Sequence, residues 1–154
     1  MNIVFIHCNF PGQFAQLAPA LGAAQGVQCA FITESNNPQN ISFQGVQLKK
    51  FNVLRDVRHD IHPYLVSTEL AVLRGQAVSR SIDQLIQTGF RPDVVIAHGG
   101  QGFGLFLKEC FPWLRVISYM EWFFKNQTSR WIYEDYSLDN RLKTHTRNWV
   151  ITQE

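Results

Sequence analysis

Short unbroken apolar runs alternate along this chain with longer stretches in which apolar residues fall every third or fourth position. Ile3-Val4-Phe5-Ile6 is the first such run. It breaks at Asn9-Phe10-Pro11-Gly12, and apolar residues resume at Phe14, Leu17, Ala18 and Leu21, which is helical spacing. A strand buried on both faces reads as a continuous β-branched run, and parallel sheets bury both faces. The pattern predicts a helix over about 13–25, bent at Pro19 and capped by Gly26. Strands follow over 27–33 and 46–51; the second is the more polar and belongs at a sheet edge. The longest helix is predicted over 64–88, with Leu70, Leu73, Ala77, Ile82, Leu85 and Ile86 as its core stripe. Gly89 caps it and Pro92 forbids continuation. Strands over 93–97 and 115–119 flank a short helix over about 103–110.

This alternation implies an α/β fold: a Rossmann-like open parallel sheet with helices on both faces. Handedness and common topology give strand order 3-2-1-4-5. A length of 154 residues suits one such domain. After the fifth strand the chain changes character. The segment 119–136 is dense in aromatic residues, among them Trp122, Phe123, Phe124, Trp131, Tyr133 and Tyr136. Such residues are most often core, with an acceptor groove or membrane contact as the other readings. Residues 138–152 have helical spacing, with Leu142 and Trp149 on one face. The chain ends right after Val150-Ile151 with neither glycine nor proline as a stop signal, so residues 1–154 are expected to be the front part of a longer protein.

Composition narrows the class. With 45% hydrophobic and 17% charged residues, the chain is neither disordered nor a charged tail. The net charge of +2 comes without a lysine or arginine stripe, so nucleic acid is not the expected partner. No stretch has the pattern of a signal peptide or is long and apolar enough to span a bilayer. The cysteines are Cys8, Cys29 and Cys110, widely spaced and odd in number, which fits reduced thiols and a cytoplasmic setting. Cys8, at a strand end, is also a candidate nucleophile.

Candidate chemistry follows from topology. In an open α/β sheet, ligands bind beyond the carboxyl ends of the strands where the strand order reverses. Here that crevice lies between the first and fourth strands, where the loops Cys8–Gly12 and His98–Gly104 meet. Each loop carries glycine and opens a helix, so backbone N–H groups of Gly12, Gln13, Gly99 and Gly100 are candidates for holding a diphosphate. The plainer reading of Gly12 is a tight β-α turn. His98 stands at the mouth, able to donate to a phosphate or a sugar hydroxyl. His7 is the weaker candidate, a buried histidine in a packing layer. Glu121, just past the fifth strand, is either a cleft carboxylate or a solvent-facing charge. Glu34 ends the second strand where dinucleotide folds place a ribose-binding acid, but Asn9-Phe10-Pro11-Gly12-Gln13 is not G-x-G-x-x-G, and no Walker A loop occurs. His59, Asp60 and His62 read as a surface loop or, with a further ligand, a zinc site; no metal or other cofactor is expected.

Several stretches together resemble a known group. Asn9-Phe10-Pro11-Gly12-Gln13-Phe14, followed by Leu17-Ala18-Pro19-Ala20-Leu21, looks like the start of family-four (group 1) glycosyltransferases of the GT-B fold. Ala71-Val72-Leu73-Arg74-Gly75-Gln76-Ala77, Phe90-Arg91-Pro92-Asp93-Val94-Val95-Ile96-Ala97-His98 and Tyr119-Met120-Glu121-Trp122-Phe123 match the same group in the same order. The resemblance implies two Rossmann-like halves facing a cleft. The N-terminal half, which this chain resembles, mainly binds the acceptor. The other half binds a nucleotide-sugar donor and carries a glutamate pair in an E-x7-E pattern. Transfer to a sugar or lipid acceptor retains the anomeric configuration, usually without a metal. By position, Gly12 would lie near the donor phosphates, His98 would face the transferred sugar, and Glu121 matches a Tyr-x-Glu-aromatic stretch. The chain carries one half and no glutamate pair, so by itself it is not expected to turn over. Two further readings stand beside this one: a free-standing flavodoxin-like nucleotide-binding or protein-interaction module, and a dehydrogenase-like domain using Glu34.

Overall fold

A computed structural model describes residues 1–34, 40–121, 123 and 137–154; most of the aromatic segment 119–136 lies outside the described residues. Five strands form one all-parallel sheet: β1 (Asn2–His7), β2 (Gln28–Thr33), β3 (Val46–Lys50), β4 (Val94–His98) and β5 (Arg115–Tyr119). Their order is β3-β2-β1-β4-β5, as the alternation predicts. Burial explains the arrangement. β1 and β2 are buried along nearly their whole length and occupy the interior, while the Lys-bearing β3 lies at one edge.

Alternation divides the sheet into two faces. Val4, Ile6, Ala30, Ile32, Val95 and Ala97 point one way. They pack under Ala77, Val78, Ile82 and Leu85 of α2 (Val66–Gln87) and Leu107 of α3 (Leu107–Cys110). Ile3, Phe5, Cys29 and Phe31 point the other way, against Phe14 and against Ala18 of α1 (Leu17–Gly22). Aliphatic residues of α2 at helical spacing, with Phe51, Phe103 and Phe111 around them, thus seal one face, and Phe14 with Ala18 the other.

Three boundaries differ from the pattern. The stretch expected as one helix over 13–25 is a 3-10 turn at Gly12–Phe14 followed by α1. Pro19 has no N–H to donate, so it belongs in the first turn of a helix, and the helix starts just before it rather than bending at it. Gly26 consequently sits in the turn before β2 instead of capping the helix. The long helix is preceded by a 3-10 turn at Pro63–Leu65, where His62 Nδ1 accepts from the Tyr64 N–H. Its far end closes as expected: the Gly89 N–H donates to Ile86 O, and the Phe90 N–H to Leu85 O at 2.9 Å, the paired bonds of a glycine-terminated helix.

α4 (Leu138–Gln153) begins at Ser137, whose Oγ accepts from the Asn140 N–H. It packs on α2. Leu142 and Trp149 do share a face, but that face is exposed. Thr144, Thr146, Asn148, Val150 and Ile151 are the residues turned inward. No helix among the described residues is long and apolar enough to cross a membrane.

Candidate functional site

His7 is the last residue of β1 and His98 the last of β4. The strands are neighbours, with Ile6 beside Ala97 one step earlier, so the two histidines emerge side by side where the strand order reverses. Both alternate onto the face covered by α1, and both are buried. Their ring centroids lie 4.7 Å apart at 75°. Phe14 closes the far side of the His7 ring, edge-on at 6.1 Å.

The loop after β1 is shaped around the His7 ring. Gly12 has φ +51°, and a Cβ there would meet the imidazole at less than van der Waals distance. Glycine is therefore required by both the backbone and the neighbour. The Asn9 N–H donates to His7 Nδ1 at 2.9 Å when that nitrogen is unprotonated; the Asn9 carbonyl, 2.8 Å away, accepts when it is protonated. Burial pushes the His7 pKa below its ordinary value, and the nearby His98 adds to that shift.

Glu121 joins the two loops. Its Oε2 accepts from Gln13 Nε2 at 2.9 Å and stands 3.0 Å from His98 Nε2. The hydrogen bonds from His98 and then Gln13 hold its carboxyl below the ordinary glutamate value. With Nε2–H donating to the carboxylate, His98 Nδ1 is left as an acceptor, buried and without a partner among the described residues. An unsatisfied buried nitrogen costs about 1–3 kcal/mol, and such groups concentrate where a site does chemistry or binds. Three strand ends thus contribute to one polar cluster: His7 ends β1 and Gln13 lies in the turn after it, His98 ends β4, and Glu121 lies two residues past β5. It has N–H donors and a half-exposed carboxylate, the groups needed to bind hydroxyls or to orient an anion against imidazole.

Gly99 and Gly100 face elsewhere. The Gly99 N–H extends the sheet ladder, donating to Tyr119 O at 2.9 Å. The Gly100 N–H donates to the Glu154 carboxylate on the side of the sheet covered by α2. The structure therefore brings Gly12, Gln13, His98 and Glu121 together around His7, while the Gly99 and Gly100 amides are engaged within the chain.

Other sequence candidates are occupied as well. Glu34 pairs with Arg74 of α2 at 2.7 Å, and Arg74 also donates to Gln101 Oε1; a ribose would have to displace a largely buried arginine. A cavity of about 110 Å³ opens beside this knot, with Arg74, Gln101 and Arg147 in its wall. Burial pushes the Cys8 thiol up, away from a reactive thiolate. Asp60 is bound by Arg58 and His62 caps a turn, and no group of three metal-ligating side chains occurs among the described residues. One contributor is underweighted in the sequence reading and one escapes it. His7 is more central than its apolar strand suggests; its signal is that it and His98 are each the last residue of a strand. Glu154 has no local signal.

The sequence profile described as "Glycosyl transferase family 4 group" matches residues 25–154. The match starts beyond the Gly12 loop, so the Asn9–Phe14 resemblance stands outside it. No curated protein matches the sequence. Among solved structures, nine chains match. One is the crystal structure of an Os79 variant from O. sativa in complex with UDP, 10% identical, with a TM-score of 0.48. The alignment covers 75% of the present chain and 28% of that one.

Proposed function

Given that the chain belongs to the glycosyl transferase family 4 group, we propose that it is the acceptor-side, N-terminal domain of a two-domain GT-B enzyme that moves a sugar, with retention, from a nucleotide-sugar donor to a sugar or lipid acceptor. The observation that carries this reading is the convergence of Gln13 and His98 on Glu121 above the β1–β4 switch point. Open parallel sheets bind ligands there. In this reading the unpartnered His98 Nδ1 accepts from a hydroxyl of the transferred sugar, and Glu121, taking the Nε2–H, keeps the imidazole in the tautomer that can do so. Gln13 fixes the carboxylate, and Gly12 lets the loop approach the donor phosphates. The domain supplies one wall of the cleft and a second Rossmann-like domain the other; catalysis needs the donor held against preorganised groups from both.

The test uses the protein carrying both halves. Titration with a panel of nucleotide-sugars, followed by product analysis with sugar and lipid acceptors, is expected to give donor binding and transfer with retained anomeric configuration. His98→Ala is expected to lower kcat/KM by at least tenfold, about 1.4 kcal/mol. Absence of binding to every donor at millimolar concentration would sink the proposal.

A further inference from the structure

Glu154 follows α4 and is mostly enclosed. Its carboxylate accepts from the N–H groups of Gly100 and of Gly104, the latter at 3.3 Å. The loop can wrap the carboxylate because it lies flush on α2. Gly102, at φ +87°, has no room for a Cβ against the Ala71 backbone, and its carbonyl sits where a side chain on Gly75 would be. The backbone carbonyl of Glu154 makes a second connection, accepting from Ser118 Oγ of β5 at 3.0 Å. One residue thus grips the loop leaving β4 and the end of β5.

The polar cluster hangs on those same two strand ends. His98 is paired in register with Tyr119, and Ala97 with Ser118. Glu121 lies two residues beyond Tyr119. The 3.0 Å between His98 and Glu121 is therefore set by how β4 and β5 part company after their last rung. Among the described side chains, Glu154 ties the two strands together at that level from the opposite face. Burial works against its charged form and the surrounding amides work for it. Core closure does not need such a group, since Val150 and Ile151 already seal the α4 contact.

We propose that Glu154 is a positioning residue: by clamping the Gly100–Gly104 loop to β5 beneath the sheet, it fixes the separation and orientation of His98 and Glu121 above it. The functional consequence rests on the reading of His98 as ligand-facing; the clamp itself is observable without ligand.

The experiment compares the full chain with Glu154→Ala and Ser118→Ala by NMR. The amide signals of Gly100, Gly102 and Gly104 report the clamp, and the His98 ring nitrogens report its tautomer. The wild-type chain is expected to show a single His98 tautomer with the proton on Nε2. Glu154→Ala is expected to lose the displaced glycine amide shifts and to average the two His98 ring nitrogens. Added acetate should restore both in that variant, by refilling the amide cradle, where chloride at equal ionic strength does not. An unchanged His98 ring in folded Glu154→Ala overturns the proposal. If that variant does not fold, Ser118→Ala decides: averaged ring nitrogens support the clamp and an unchanged ring overturns it. Failure of nucleotide-sugar binding in the wild type would sink the functional reading yet leave these ring signals as they are, so the two ideas fail separately.

Discussion

His7 shows how one residue can be fixed by its neighbours on every side. Its ring is walled by His98, Phe14 and Gly12. A buried imidazole that resists protonation binds fewer protons in the folded than in the unfolded state across the window from its ordinary value of 6.5 down to its lowered value. Stability must then rise with pH through that window and be lost as pH falls through it. Thermal melts between pH 5 and 8 are expected to show this slope, and His7→Gln should flatten it. At Gly12 the same ring forbids a side chain. Gly12→Ala should destabilise by on the order of 1–3 kcal/mol, through left-handed backbone strain and displacement of the imidazole; urea unfolding measures it.

Among the elements, α2 does the most. Its apolar stripe seals one face of the sheet through Ala77, Val78, Ile82 and Leu85. A second strip, Ala71 and Gly75, admits the β4–α3 loop at backbone distance. Ile82→Ala leaves a hole in a closed core and is expected to cost about 2–5 kcal/mol in chemical denaturation. α4 is tied on differently: a serine cap begins it, and the Glu154 carboxylate holds its far end. Ser137→Ala should cost about 1 kcal/mol, read as faster amide exchange in the first turn of α4 with α2 unaffected. That contrast would show α4 opening as a unit separate from the sheet.

For the molecule as a whole, the two faces of the sheet are not equally covered. Over β1 and β2 the α1 face is closed by phenylalanines, but over β5 Ile117 and Tyr119 are about half exposed, with Met120 and Phe123 beside them. The strand alternation that turns Val116 toward the α2 side turns Ile117 and Tyr119 outward. A patch of this kind is expected to bind an apolar fluorescent dye. Ile117→Ser combined with Phe123→Ser should reduce the signal while shifting the unfolding midpoint little, since neither side chain is enclosed.

Much of this was readable from the chain. Runs such as Ile3–Ile6 and Val94–Ala97 can only be buried strands, and α2 is announced by its spacing and stopped by Gly89 and Pro92. Once strands and helices alternate, handedness leaves few topologies, and the order with β1 beside β4 follows, along with His98, Gln13 and Glu121 as residues near one crevice. The one-dimensional pattern is silent wherever an outcome depends on register or on a partner distant in sequence. That His7 lies against His98 depends on β1 and β4 pairing without a one-residue slip. That Glu34 is taken by Arg74, Gly100 by Glu154, and Leu142 and Trp149 by solvent depends on how α2 and α4 settle over the sheet. Periodicity fixes which side of an element is apolar because burial is a local, one-body preference. Hydrogen bonds and ion pairs are two-body and directional, and only the folded chain brings their partners within reach.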